Sequence, residues 1–172
     1  GAAAMAGMAA LRAGAGLVRA AVPESILPIV AAIEPCCTTI PLEEDKDGRI
    51  ARTAVNAILK AAQENDVVAM GTGMGIASGC KAAIGALIAS AGLRLVIDAD
   101  GLNNLATIKD WPAMVKSSLI LTPHPGEMAR VWQSVFRKVM PEDRKTAAQE
   151  LADKISAIIV LKGHGTVVAD PE

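Results

Sequence analysis

The sequence predicts an α/β domain: a mainly parallel sheet with helices on both faces. Three observations point there. Short uninterrupted apolar runs rich in branched side chains, Val67 to Met70, Leu95 to Ile97, Leu119 to Leu121 and Ile158 to Leu161, read as strands buried on both faces. Segments with helical spacing of apolar residues alternate with those runs, so right-handed crossovers between parallel strands are the economical arrangement. The length of 172 residues with 52 % hydrophobic side chains fits one compact domain with a core.

In chain order, Ala2 to Ala15 is nearly all Ala, Gly and Met, which permits a helix that neighbours can approach closely. Leu17 to Val22 reads as a strand, Pro23 closes it, and a short helix follows. Leu42 to Gly48 is an acidic, turn-like stretch. Val55, Ile58, Leu59 and Ala62 share one helical face; Cys80, Ile84, Leu87, Ile88 and Ala91 share another; Ala147, Leu151 and Ile155 share a third. Pro141-Glu142-Asp143 suits the acidic first turn of that last helix.

Charge and composition exclude several functions. Basic and acidic residues number 17 and 18, a formal net charge of −1, and the aromatic residues are Phe136, Trp111 and Trp132 alone. Neither a polyanion footprint nor a stacking platform for bases is present, so nucleic acid is not an expected partner. The longest uncharged apolar run, Ala82 to Leu93, falls short of the roughly 18 residues of a membrane span. Cys36 and Cys37 are adjacent, Cys80 is the only other thiol, and no C-x-x-C pair exists, which predicts a reducing, cytoplasmic setting and no zinc site. Gly1 and the alanine-rich opening lack a basic n-region and suggest a cut or processed end.

In open α/β sheets the ligand crevice lies beyond the carboxyl ends of the strands. Here those ends are glycine-rich or polar: Gly71-Thr72-Gly73-Met74-Gly75, Asp98-Ala99-Asp100-Gly101-Leu102-Asn103, Thr122-Pro123-His124-Pro125-Gly126-Glu127, and Lys162-Gly163-His164-Gly165-Thr166. The first fits an anion at a helix N-terminus or a plain tight turn; it is neither a dinucleotide fingerprint nor a Walker A loop. Asp98 and Asp100 suit Mg²⁺ through water or a substrate hydroxyl; alternatively Asp100 caps the turn through Asn103. His124 sits in a backbone stiffened by two prolines, which favours contact with a ligand over a purely structural role. Lys162 to Thr166 suits phosphate oxygens and a purine, or a hairpin turn into a strand over Thr166 to Ala169.

Taken together with Gly1-Ala2-Ala3-Ala4 and the segment Ala10 to Val18, these motifs in this order resemble the ADP/ATP-dependent NAD(P)H-hydrate dehydratases, carbohydrate-kinase-like members of the ribokinase superfamily. Thr122 to Glu127 is the most specific segment. The resemblance implies a ribokinase-like fold and a lyase of metabolite repair, which restores NADH or NADPH from their hydrates at the expense of ADP or ATP with Mg²⁺. It implies that Ala2, Gly75 and His124 contact the hydrated dinucleotide and that Lys162, Gly163, His164, Gly165 and Thr166 line the adenine-nucleotide site. Gly71, Gly73, Asp98, Asp100 and Asn103 shape the crevice between them. It also implies a homo-oligomer.

Family members continue into a Gly-Ser/Thr-Gly-Asp segment whose aspartate is the expected base, and the chain reaches Glu172 before one. The glycine-rich strand and loop that precede Gly1-Ala2 in the family are also missing. Residues 1–172 are therefore expected to be one ribokinase-like domain, incomplete at both ends and inactive alone. A hydroxymethylpyrimidine or sugar kinase of the same superfamily, and a non-catalytic nucleotide-binding module, are the alternatives.

Overall fold

The computed structural model describes residues 1–171. Helix α1 (Ala2–Arg12) leads to strand β1 (Arg19–Pro23), helix α2 (Leu27–Ile33) and strand β2 (Thr38–Leu42). Then come α3 (Val55–Gln63), β3 (Val68–Met70), α4 (Ser78–Ile88), β4 (Arg94–Ile97), α5 (Asp100–Leu105) and β5 (Ser118–Leu121). Helices α6 (Pro125–Phe136) and α7 (Arg144–Ile155) precede β6 (Ile158–Leu161) and β7 (Val167–Ala169). The α/β class and the mainly parallel sheet stand.

Strands β3 to β7 form one sheet in sequence order, parallel through β6, with β7 antiparallel at the edge. Strands β1 and β2 form a separate parallel pair. That pair has its own small core of Ala4, Ala20, Val22 and Val30. Strand β2 was not expected from the sequence: Thr38-Thr39-Ile40-Pro41-Leu42 is too polar and proline-broken to register as an apolar run.

Because β3 to β6 follow one another across the sheet, each right-handed crossover steps the same way and sets its helix on the same face. There Leu95, Ile97, Leu119, Leu121, Ile159 and Leu161 are buried and join a core with Ile84, Leu87, Leu102, Trp132 and Leu151. The alternate residues Val96, Ile120, Ile158 and Val160 are half-buried and Ala69 is exposed. These crossovers thus set their helices against one face of β4 to β6, whose residues are fully buried, while the residues of the other face are half-buried. Val67, counted into a strand by its hydropathy, lies just before β3 and is 53 % exposed.

Helix starts are local chemistry. Asp143 caps α7 by accepting the Thr146 amide at 2.7 Å and its hydroxyl at 2.6 Å. The acidic residues expected in the first turn of that helix therefore precede it, since the Asp143 carboxylate serves as the cap.

Candidate functional site

Parallel strands place all their carboxyl ends at one edge, and there the glycine and polar loops meet. A β-carbon on Gly71 would lie 1.9 Å from the Asp98 carbonyl oxygen, and its φ of 120° suits glycine alone, so the first loop packs directly on the second. Gly75 is clamped from both sides. Its amide donates to Asp100 Oδ2 at 3.0 Å, and its carbonyl accepts from Asn104 Nδ2 at 2.8 Å. The Gly75 amide of the Gly71 to Gly75 loop is thus taken by the chain's own Asp100 carboxylate, and α4 begins only at Ser78. Gly73 reaches the first helix: a β-carbon there would lie 3.0 Å from Ala2 Cβ.

Asp100 Oδ1 also accepts from Asn103 Nδ2 at 3.4 Å, a contact between side chains inside α5, whose N-cap is Ala99 and which starts without a side-chain cap. Between the two aspartates, Ala99 takes φ 49° and ψ −123°, a conformation that costs a non-glycine residue about 1–3 kcal/mol. It turns Asp98 towards the neighbouring strand ends while Asp100 faces Gly75. Asn103 Oδ1 in turn accepts from Arg130 Nε at 2.8 Å.

Asp98 Oδ1 lies 2.5 Å from Lys162 Nζ, joining the ends of β4 and β6 across β5. Burial opposes ionisation of Asp98. The Lys162 ammonium, the Ala99 amide and the Thr122 hydroxyl outweigh it and hold the carboxyl below its ordinary range. Lys162 Nζ is also 4.0 Å from Oε2 of Glu127, whose side chain is only 6 % exposed.

Glu127 completes a capping box at the start of α6. Its Oε2 accepts the His124 amide at 2.8 Å, while His124 Nδ1 accepts the Gly126 amide at 3.0 Å and the Glu127 amide at 3.4 Å. His124 Nε2 lies 3.2 Å from Glu127 Oε1. His124 therefore does the structural work of an N-cap, and with half of its side chain exposed it also offers a ring face to the rim. Its extended backbone, φ −76° and ψ 168°, is the one the flanking prolines predict.

Lys162 to Thr166 makes the hairpin turn between β6 and β7, anchored by the Lys162 amide on the Pro123 carbonyl at 2.8 Å. Gly163, His164, Gly165 and Thr166 are exposed. Thr166 Oγ1 donates to the Gly163 carbonyl at 3.2 Å.

Direct bonds thus tie Gly75 to Asp100, Asp98 to Lys162, and His124 through Glu127 towards Lys162, with Ala2 against Gly73. Glu127, three residues after His124, was read near a helix start, and the capping box bears that out. Two contributors, Asn104 and Arg144, escaped the sequence reading. Neither Asn104 nor Arg144 carried a local signal, because each acts on a loop distant in sequence.

A family described as NAD(P)H-hydrate dehydratase matches residues 1–172. The bifunctional NAD(P)H-hydrate repair enzyme Nnr of Moorella thermoacetica is 38 % identical over 172 residues, which are all of this chain and 32 % of that protein. The chain thus spans about a third of the length of the curated relatives it matches. The crystal structure of the ADP/ATP-dependent NAD(P)H-hydrate dehydratase from Bacillus subtilis, co-crystallised with ATP and Mg²⁺ and soaked with CoA, aligns with a TM-score of 0.73 at 26 % identity. It covers 98 % of this chain and 57 % of that one. A ribokinase-like superfamily protein of Enterococcus faecalis, 19 % identical with a TM-score of 0.74 over 98 % of this chain and 55 % of its own, shares the fold.

Proposed function

The chain belongs to the NAD(P)H-hydrate dehydratase family, and from that premise we propose that its strand-end rim holds a hydrated nicotinamide dinucleotide beside ADP or ATP for dehydration back to NADH or NADPH. The observation that supports this reading is the Asp98–Lys162 contact, which joins the Lys162 to Thr166 loop to the loops that carry Gly75, Asp100 and Asn103.

The chemistry matches that layout. Hydroxide is a poor leaving group, so the nucleotide's terminal phosphoryl group passes to the ring hydroxyl, leaving ADP from ATP or AMP from ADP. The ring nitrogen then expels phosphate as the C–O bond breaks, a proton leaves the adjacent carbon, and reduced nicotinamide and inorganic phosphate result. In this reading Ala2, Gly75 and His124 hold the dinucleotide. Lys162 presents its ammonium to the polyphosphate, with Asp98 orienting it, while Gly163, His164, Gly165 and Thr166 line the nucleotide. Among the described residues no three His, Cys, Asp or Glu side chains gather to hold a metal ion. On this reading Mg²⁺ arrives on the nucleotide's phosphates.

A homo-oligomer and a cytoplasmic setting belong to the same proposal. Met5, Leu17, Ile29 and Ile33 are exposed apolar residues on or beside α1 and α2, which touch each other, and Cys36, Cys37 and Cys80 are free thiols. No helix among the described residues is long and apolar enough to cross a membrane. Sedimentation tests the association; a monomer at every concentration discards it.

Titration of the chain with ATP and with NADH hydrate, followed residue by residue in NMR spectra, tests the site. Saturable shifts at Lys162 to Thr166 for the first ligand and at Gly73, Gly75 and His124 for the second are expected. Shifts confined to other edges of the sheet overturn the reading. In an activity assay, recovered nicotinamide absorbance with free phosphate identifies dehydration, whereas a stable phosphorylated product identifies a kinase.

A further inference from the structure

Arg144, the first residue of α7, spends its guanidinium on one loop. Nη1 donates to the carbonyls of His164 at 2.8 Å and Gly165 at 3.0 Å; Nη2 donates to those of Leu161 at 3.0 Å and Lys162 at 3.2 Å. Its Nε is buried and has no acceptor among the described residues. An unmade bond on a buried donor is costly, so the side chain is oriented by the four carbonyls rather than by its own full satisfaction. Gly163 admits it: at φ 149° a β-carbon there would lie 2.9 Å from Nη2.

A trans peptide points its C=O and the following N–H in opposite directions. Four carbonyls drawn towards Arg144 therefore turn the next amides away from it. One of these, Lys162, donates to the Pro123 carbonyl. The other three, on Gly163, Gly165 and Thr166, donate to no acceptor among the described residues. Successive outward N–H groups beside an ammonium make a concavity for anionic oxygens.

We propose that Arg144 is a positioning residue for the nucleotide loop, gathering the carbonyls of Leu161, Lys162, His164 and Gly165 on one side so that the amides of Gly163, Gly165 and Thr166 face phosphate oxygens on the other. This rests on the nucleotide-site reading above and adds the group that shapes the site without touching its ligand. A planar five-donor fork spans two pairs of carbonyls; a lysine ammonium is a point donor and does not.

The test uses ATP with Mg²⁺ as probe and three chains: unaltered, Arg144→Lys and Arg144→Ala. Arg144→Lys is expected to weaken ATP binding at least tenfold while the dinucleotide-induced shifts at Gly75 and His124 stay unchanged. In Arg144→Ala, millimolar methylguanidinium is expected to recover ATP affinity several-fold, which a role in general stability alone would not produce. Wild-type ATP affinity in Arg144→Lys, or no recovery in a folded Arg144→Ala, overturns the proposal; if Arg144→Ala does not fold, Arg144→Lys decides. Should the unaltered chain bind no ATP, the nucleotide-site reading fails. Amide relaxation of ligand-free chains then decides the positioning role alone: unchanged order at 162–166 in Arg144→Lys overturns it, and loosening there supports it.

Discussion

Asp98 carries the electrostatics of the rim. Its carboxyl titrates below the ordinary value near about 3.9 because the folded chain gives it an ammonium and two further donors. A depressed folded value makes its stabilisation complete above the unfolded pKa, and that stabilisation is lost as pH falls through the folded one. The unaltered chain should therefore lose resistance to urea as pH falls below about 4, and Asp98→Asn should flatten that part of the profile. Equal slopes in the two proteins would dismiss the Lys162 pairing as an energetic contributor. Ala99, one residue on, sits at φ 49°. Ala99→Gly removes that strain and loses some unfolded-state rigidity, so a net gain of about 1 kcal/mol in chemical denaturation is expected. A loss would show that neighbouring packing, not backbone conformation, sets the geometry there.

At the scale of elements, the start of α7 couples a helix cap to the nucleotide loop. Asp143 caps the helix through Thr146, and the next residue, Arg144, holds the carbonyls of the turn after β6. Asp143→Ala should cost about 1 kcal/mol, and faster exchange of the Thr146 amide should accompany the loss. Unaltered exchange there would place the cost elsewhere. The start of α6 uses a histidine for the same purpose, which is why the stiffened His124 is at once a cap and a rim residue. Both capping carboxylates are legible from spacing, Asp143 three residues before Thr146 and Glu127 three after His124. The four-carbonyl grip of Arg144 is not, because its partners lie 17 to 21 residues away in sequence.

Across the whole molecule, the sheet is closed on one face and half-open on the other. Neighbouring residues of β5 expose the difference: Leu121 is fully buried in the helical layer, whereas Ile120 is half-buried opposite. Leu121→Ala should cost about 3 kcal/mol, and Ile120→Ala less than half as much, by urea unfolding of this chain. Similar losses at both positions would mean that the second face is covered in solution. Sequential strand order explains the asymmetry, since crossovers of one hand stepping in one direction lay every connecting helix on the same side.

The alternation of apolar runs with helical spacings was enough to determine the α/β class, the strands β4, β5 and β6 to within a residue, and the polar ends that became the rim. Those features are local, written in hydropathy period and in glycine, proline and acid placement. Tertiary structure alone decided which face of the sheet is covered, that Thr38–Leu42 pairs with Arg19–Pro23, and that the Gly75 amide donates to Asp100. It also decided that Lys162 lies between Asp98 and Glu127. Each of these depends on contacts between segments far apart in the chain, whose pairing follows from the packing of the whole sheet and leaves no mark in a local window of residues.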